Sequence, residues 1–345
     1  MLSDRIEAPW LDSFEAVLRL CRAEAGMAVC LLAETQSRAL NLELAELAAL
    51  RLGCRPFRCV VPTPPQTAPV PIRSTGASRA LRGHPAVLAA LAASELVVDL
   101  TLEGLLHAPE LPAILRGGAR VLMVSNEHPE ALERLVPRPE DEARVRAAVQ
   151  QARAARRMSV TSAAGTDLQV TMEGAVTAGV WGWCSRPGTV AHWPGGVVVS
   201  FPRAGSVNGT LVLDAGDVNL TFKRYLERPL RLSLVDDHIV TIEGEGTDAE
   251  LMRRYLAAWG DPAAYAVSHL GWGLNDRARY EALAMYDRRD TNGTELRAFA
   301  GNFLFSTGAN EFAGRFTEGH FDIPVRNCTI ALDGRPVVIE GRLVP

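Results

Sequence analysis

"GMAVCLLAETQSRALNLELAELAALRLG", residues 26–53, opens with an unbroken apolar run and continues as leucines and alanines at helical spacing, ending on a glycine. An apolar run of that length reads as a strand covered on both faces, and the helix after it as a crossover to a parallel neighbour. The unit recurs: "PFRCVVP" (56–62) predicts a second strand, "HPAVLAALAAS" (84–94) a helix, "ELVVDLT" (95–101) a third strand and "ARVLMVS" (119–125) a fourth. This order defines a small doubly wound α/β domain. It lacks both G-x-G-x-x-G and a Walker loop, so no nucleotide is inferred. "PTPPQTAPVP" (62–71) predicts a proline-rich loop.

The charged, alanine-rich stretch 138–160 predicts a helix leading out of this domain. The boundary is placed near residue 155, giving an N-terminal α/β domain (1–155) and a C-terminal α+β domain (156–345). In the latter, "SVTSAAGTDLQVTMEG" (159–174), "GVVVSFPRAGSVNGTLVLDAGDVNL" (196–220), "LRLSLVDDHIVTIEGEG" (230–246) and "RPVVIEGRLV" (335–344) alternate apolar and polar residues between turns. That pattern predicts a mixed, largely antiparallel sheet. "DAELMRRYLAAWG" (248–260) and "DRARYEALAMYD" (276–287) predict two helices.

A chain of 345 residues, 48% hydrophobic, buries a sizeable core. Its net charge of -4 gives no basic field, which argues against nucleic acid or an anionic membrane surface and for a small molecule. The longest run without formal charge, 187–202, holds three prolines and a Gly-Gly, so no membrane span is expected. The N-terminus has no basic-then-apolar signal pattern, and the six cysteines are scattered without C-x-x-C spacing, so a cytoplasmic protein with buried thiols is expected.

Seven histidines divide into two groups. His84 and His128 each precede a helix-opening proline and His238 stands at a turn, which are structural settings. His107 follows the third parallel strand at its carboxyl end, where ligands approach open α/β sheets. His192, in "VAHWPGG", His269, in "VSHLGWGLN", and His320, in "GHFDIP" with Asp322 two residues on, are the other candidates. Two imidazoles and a carboxylate suit a borderline metal and leave coordination positions open, as in non-haem Fe(II) sites, and zinc accepts the same set. From spacing alone a satisfied polar cluster is the favoured reading over a metal site.

"SHLGWGLN" (268–275), "RAFAGNFLFSTGAN" (297–310), "GHFDIPVRNCTIALDG" (319–334) and "HWPGGVVVSFPRAGSVNGTLVLD" (192–214) resemble the 2,5-dihydroxypyridine 5,6-dioxygenases of bacterial nicotinate catabolism, enzymes with an aminopeptidase T-like fold. The resemblance implies that His269, His320 and Asp322 bind Fe(II). It implies cleavage of a hydroxylated aromatic, 2,5-dihydroxypyridine, between C5 and C6 to N-formylmaleamate, with dioxygen as co-substrate. It also implies a homo-oligomer. His107 or His192 is then the candidate acid/base, and Ser306 a hydrogen-bonding partner of a ligand or of substrate. Against the aminopeptidases, Val197 in "PGGV" stands where a metal-binding Glu is expected, His269 replaces a second Glu, and Leu304 in "GNFL" stands where a ligand His is expected. A two-metal hydrolase site is thereby reduced to a mononuclear one. In "TAGVWGWCSRPG" (177–188), Val180 replaces an acidic residue of the dioxygenases and Trp181 and Trp183 replace tyrosines, so Val180 and Trp181 are candidate substrate contacts in a more apolar pocket. Arg297, Asn302 and Arg326 are read mainly as loop stabilisers. A zinc-dependent, aminopeptidase-like hydrolase and a binding protein on a degenerate scaffold are the competing readings.

Overall fold

The computed structural model describes residues 5–65 and 78–345. The predicted proline-rich loop therefore lies mostly outside the described residues, and its first four residues belong to no helix or strand. Five parallel strands form the first sheet, in the spatial order Arg55–Val61, Ala28–Glu34, Leu96–Asp99, Arg120–Met123 and Val190–His192. Val29 and Leu31 pack into one apolar cluster, whereas Cys30 and Leu32 pack into another on the opposite face. The strand is apolar at every position because both of its faces are covered. The predicted helices appear as Ala39–Arg51 and Pro85–Ala92.

The last strand of this sheet comes from the second half of the chain. Three residues, Val190–His192, return across the expected boundary and pair in parallel with Arg120–Met123. A three-residue strand is too short to carry a periodic signal. Its consequence is large, because it brings His192 to the same carboxyl edge from which the His107 loop leaves.

Helix Pro139–Ala154, with proline at its start and Glu140, Asp141 and Glu142 in its first turn, leads into the remaining strands. An eight-stranded antiparallel sheet and a five-stranded antiparallel sheet enclose a shared core. Met158, Val160, Leu168 and Leu211 of the first meet Val198, Trp272, Phe303, Phe305 and Ile323 of the second. The five-stranded sheet runs Phe321–Val325, Phe303–Thr307, Val267–Gly273, Val197–Phe201 and Val176–Val180. Helix Thr247–Ala258 matches its expectation. The helix expected over 276–287 contracts to Ala282–Met285. Arg277 is drawn to Asp141 and the Val136 carbonyl, while the Tyr280 hydroxyl donates to the Gly216 carbonyl; these opposed anchors hold the backbone in turns. Among the described residues no helix is long and apolar enough to cross a membrane.

Candidate active site

One face of the five-stranded sheet packs on the core, and the other carries the polar residues singled out above. Ser306 pairs directly with Asp322 across neighbouring antiparallel strands. On its other side Val267 pairs with Thr307 and Leu270 with Phe305, so Ser268 and His269 together oppose Ser306. This is a β-bulge, and such an extra residue re-aims a side chain. Here it turns His269 toward Ser306, with Nε2 3.0 Å from Ser306 Oγ. His320 immediately precedes the Asp322 strand, and the Tyr255 hydroxyl anchors its carbonyl at 2.6 Å.

His269, Ser306, His320 and Asp322 are all buried. Asp322 Oδ1 lies 3.1 Å from His320 Nε2 and 3.7 Å from His269 Nε2, and it accepts the Ser306 hydroxyl. Asp322 Oδ2 is paired with the Arg297 guanidinium. Burial alone would raise this carboxyl, but Arg297, His320 and His269 hold it well below the usual carboxylate range. Burial lowers His269 from 6.5 to about 4, so its ring is neutral at pH 7.

The hydrogen inventory of this cluster is short by one. Ser268 donates its hydroxyl to the Ala309 carbonyl, so it accepts from His269 Nδ1–H and leaves Nε2 as a lone pair. Ser306 has one hydroxyl hydrogen for two acceptors, the Asp322 carboxylate and His269 Nε2. A cation between them resolves that deficit. Adjacent ligands of an ion bound at about 2.0–2.2 Å lie roughly 3 Å apart, close to the spacing of Asp322 Oδ1 from His320 Nε2. The donor set thus fits one metal ion. Among the described residues, however, no group of three or more His, Cys, Asp or Glu side chains stands in ready-made metal geometry. Ser306 and Arg297 take up the Asp322 oxygens that an ion would otherwise engage.

His107 and His192 approach from the carboxyl edge of the parallel sheet. The His107 ring centroid is 5.1 Å from that of His320 and 6.2 Å from that of His269. Both residues are half-buried and closely surrounded by protein. Burial, with His320 and His269 alongside, lowers His107 to about 3, and burial lowers His192 to about 4. His192 Nδ1 lies 2.6 Å from the Pro194 carbonyl oxygen, which only accepts. Nδ1 therefore carries the hydrogen, and Nε2 presents an unprotonated lone pair. The Trp193-Pro194 bond in this segment is cis.

The remainder of the face is apolar. Val197 and Leu304 pack with Ala298 in a small cluster, flanked by Val199 and Ala278. No coordinating side chain replaces them within that cluster. Phe201 stands 5.2 Å, ring to ring, from His269. Gly271 keeps the adjoining strands close, since a Cβ there would lie 1.9 Å from the Val198 carbonyl oxygen.

The structure thus brings His107, His269, Ser306, His320 and Asp322 together, with His192 electrostatically coupled to Asp322 and Arg297. Val180 stands opposite Val197 in the ladder and so shares its face of the sheet. Val180 and Trp181 pack against the apolar cluster of the parallel-sheet half, Trp181 also packs against the core of the antiparallel half, and Arg146 lies over the Trp181 ring at 4.7 Å. Trp183 is buried core. Asn302 and Arg326 are stabilisers: Asn302 Nδ2 donates to the Arg297 and Phe299 carbonyls, and Arg326 pairs with Asp217 and covers Tyr280. Arg297 departs from that expectation because its partner is Asp322. His128 accepts the Glu130 amide at a helix start, as its setting suggested.

Fold and site together define an enzyme for a small molecule, its reactive groups held between an α/β sheet edge and an antiparallel sheet face. Residues 9–345 match the 2,5-dihydroxypyridine 5,6-dioxygenase family (NicX), and the chain belongs to that family of ring-cleaving dioxygenases. It is 38% identical over 335 residues, 96% of this chain and 95% of the relative, to the 2,5-dihydroxypyridine 5,6-dioxygenase of Pseudomonas putida KT2440. The solved structure of the dioxygenase from that strain superposes with a TM-score of 0.92 at 37% identity, covering 99% of this chain and 98% of that one. Wild-type AmpT from Thermus thermophilus superposes at 0.65 with 18% identity, covering 98% and 99%, a likeness of fold alone.

Proposed function

We propose that this chain is a mononuclear Fe(II) dioxygenase that opens 2,5-dihydroxypyridine between C5 and C6, giving N-formylmaleamate with both oxygen atoms of O2 in the product. The observation that carries the reading is the convergence of His269 Nε2, His320 Nε2 and Asp322 Oδ1 around a hydrogen-deficient point. The apolar cluster of Val197, Ala298 and Leu304 favours one metal over the two of a hydrolase.

Fe(II) held by those three atoms would supply the one-electron chemistry through which triplet dioxygen reacts with a singlet ring. The protein's own residues do the rest. Arg297 fixes one Asp322 oxygen and balances its charge. His192 Nε2, its ring oriented by Pro194, is placed to take a hydroxyl hydrogen from substrate, and the approaching phenolate raises its proton affinity. His107 caps the cluster from the opposite sheet. Val199 and Phe201 give the recess an apolar wall on which an aromatic ring packs and from which water is excluded.

A carboxylate only accepts, so His320 Nε2 donates to Asp322 Oδ1 when no ion is bound, and holding an ion there would require the tautomer with the hydrogen on Nδ1. All six cysteines are free thiols, which supports a reducing, cytoplasmic setting. Phe312 and Phe316, 58% and 74% exposed near the His320 loop, support pairing of subunits in a homo-oligomer. Isotope labelling tests the reaction: turnover under 18O2 is expected to place two labelled atoms in one ring-opened product. Label derived from water, or a ring left closed, contradicts it.

A further inference from the structure

We propose that Asp99 is the positioning residue of His107, its carboxylate folding the 100–108 loop so that the imidazole is delivered to the His269, His320 and Asp322 cluster. The inference rests on the reading of that cluster as the catalytic site. Asp99 ends the third parallel strand, beside the crevice between Ala28–Glu34 and Leu96–Asp99, from which the chain continues to the next strands in opposite directions across the sheet. Ligand sites of open α/β sheets form at such a switch point.

The carboxylate is completely buried, and its hydrogen-bond partners all come from the loop. Oδ1 accepts the Thr101 amide at 3.0 Å and the Thr101 hydroxyl at 2.6 Å, while Oδ2 accepts the Leu105 amide at 2.8 Å. Thr101 Oγ1 in turn accepts the Gly104 amide at 3.1 Å. Gly104 has φ +79°, a left-handed conformation that strains a residue with a side chain, so the path of the loop favours glycine at this point. Neighbouring groups brace the same turn from outside: Glu34 Oε1 accepts the Leu102 amide at 3.3 Å, Ser37 donates to the Leu100 carbonyl at 2.7 Å, and the Ser78 amide donates to the Gly104 carbonyl at 2.9 Å.

The His107 ring makes no hydrogen bond to a described residue; its neighbours are the rings of His320 and His269. Its aim is therefore set by the backbone that Asp99 gathers. Burial pushes Asp99 up to about 6, an expense that a small apolar residue would avoid. What the carboxylate provides is acceptance of three donors at once from residues 101 and 105, which no neutral side chain of its size matches.

The test uses the Fe(II)-loaded full chain and the variants Asp99→Asn and Thr101→Val, each alone and combined with His107→Ala. Three quantities are read: amide exchange over 100–110, bound iron, and kcat with KM for 2,5-dihydroxypyridine. Exchange over 100–110 is expected to rise about tenfold in both variants, with the rest of the sheet unchanged. Iron is expected to stay at the wild-type level, and kcat to fall about a hundredfold for Asp99→Asn and about tenfold for Thr101→Val, the scale of a misplaced group at the site. Added to His107→Ala, neither substitution lowers kcat further. Losses that multiply in the double variants, or unchanged exchange over 100–110, overturn the proposal. If Asp99→Asn does not fold, Thr101→Val decides. A wild-type protein inert toward 2,5-dihydroxypyridine overturns the substrate reading instead, and the exchange rates then decide the clamp alone.

Discussion

Ser306 stands opposite Asp322 in the antiparallel ladder and donates its hydroxyl to Asp322 Oδ1, while His269 Nε2 lies 3.0 Å from Ser306 Oγ. One hydroxyl, with a single hydrogen, thus stands between a carboxylate and an imidazole. Replacing Ser306 with Ala removes that hydrogen without opening the sheet. The expected outcome is a native fold with Fe(II) affinity or kcat reduced about 10–100-fold, read by anaerobic iron titration. An unchanged titration contradicts the role given to the hydroxyl.

Half-buried Arg297 pairs with the buried Asp322. Arg297→Gln leaves that carboxylate to Ser306 and His320 alone, and the expected loss is below the about 3–5 kcal/mol of breaking a fully buried pair. An added cation substitutes for the lost guanidinium, so the deficit is expected to shrink when Fe(II) is present. Denaturant unfolding with and without Fe(II) checks this. A loss equal under both conditions places Arg297 outside the charge balance of the site.

His192 is lowered from 6.5 to about 4 by burial. Because its folded pKa is depressed, its contribution to stability is complete above pH 6.5 and is lost as pH falls through that window toward 4. Asp99 and Asp217, raised to about 6 by burial, act in the opposite sense below that pH, so the whole-protein profile mixes both signs. The difference between wild type and His192→Gln isolates one group. The variant's stability is expected to depend less steeply on pH, by up to about 1.4 kcal/mol per unit, between pH 6.5 and 4. Parallel profiles contradict a buried, neutral His192.

Gly271→Ala tests the strand approach beneath the site. The added Cβ meets the Val198 backbone oxygen rather than a yielding side chain. A loss of about 2 kcal/mol or more is expected in thermal or denaturant unfolding, and a neutral outcome means that the two strands separate without penalty.

Much of this architecture was legible because its signals are local. The Ala28–Glu34 strand declares two covered faces in a single apolar run, and helix Pro139–Ala154 carries its own start signals. His269, His320 and Asp322 were legible through the motifs around them, and His107 through its place after a strand. Other features depend on partners far along the chain. Arg297 looks like a loop residue until Asp322, 25 positions on, is folded beside it. Phe201 lies in an ordinary alternating strand and is marked only by the His269 ring against it. The turns over 276–281 read as helix because the anchors that break it, Asp141 and Gly216, belong to other segments. Val180 and Trp181 stand out by divergence from a motif, which marks a changed position without showing what it touches.

The most direct measurement is oxygen uptake by the chain reconstituted anaerobically with Fe(II) and mixed with 2,5-dihydroxypyridine, beside His320→Ala. The account predicts one O2 consumed per substrate by the wild type and none by the variant. Iron bound without uptake would contradict the proposed substrate, and failure to bind iron would contradict the site itself.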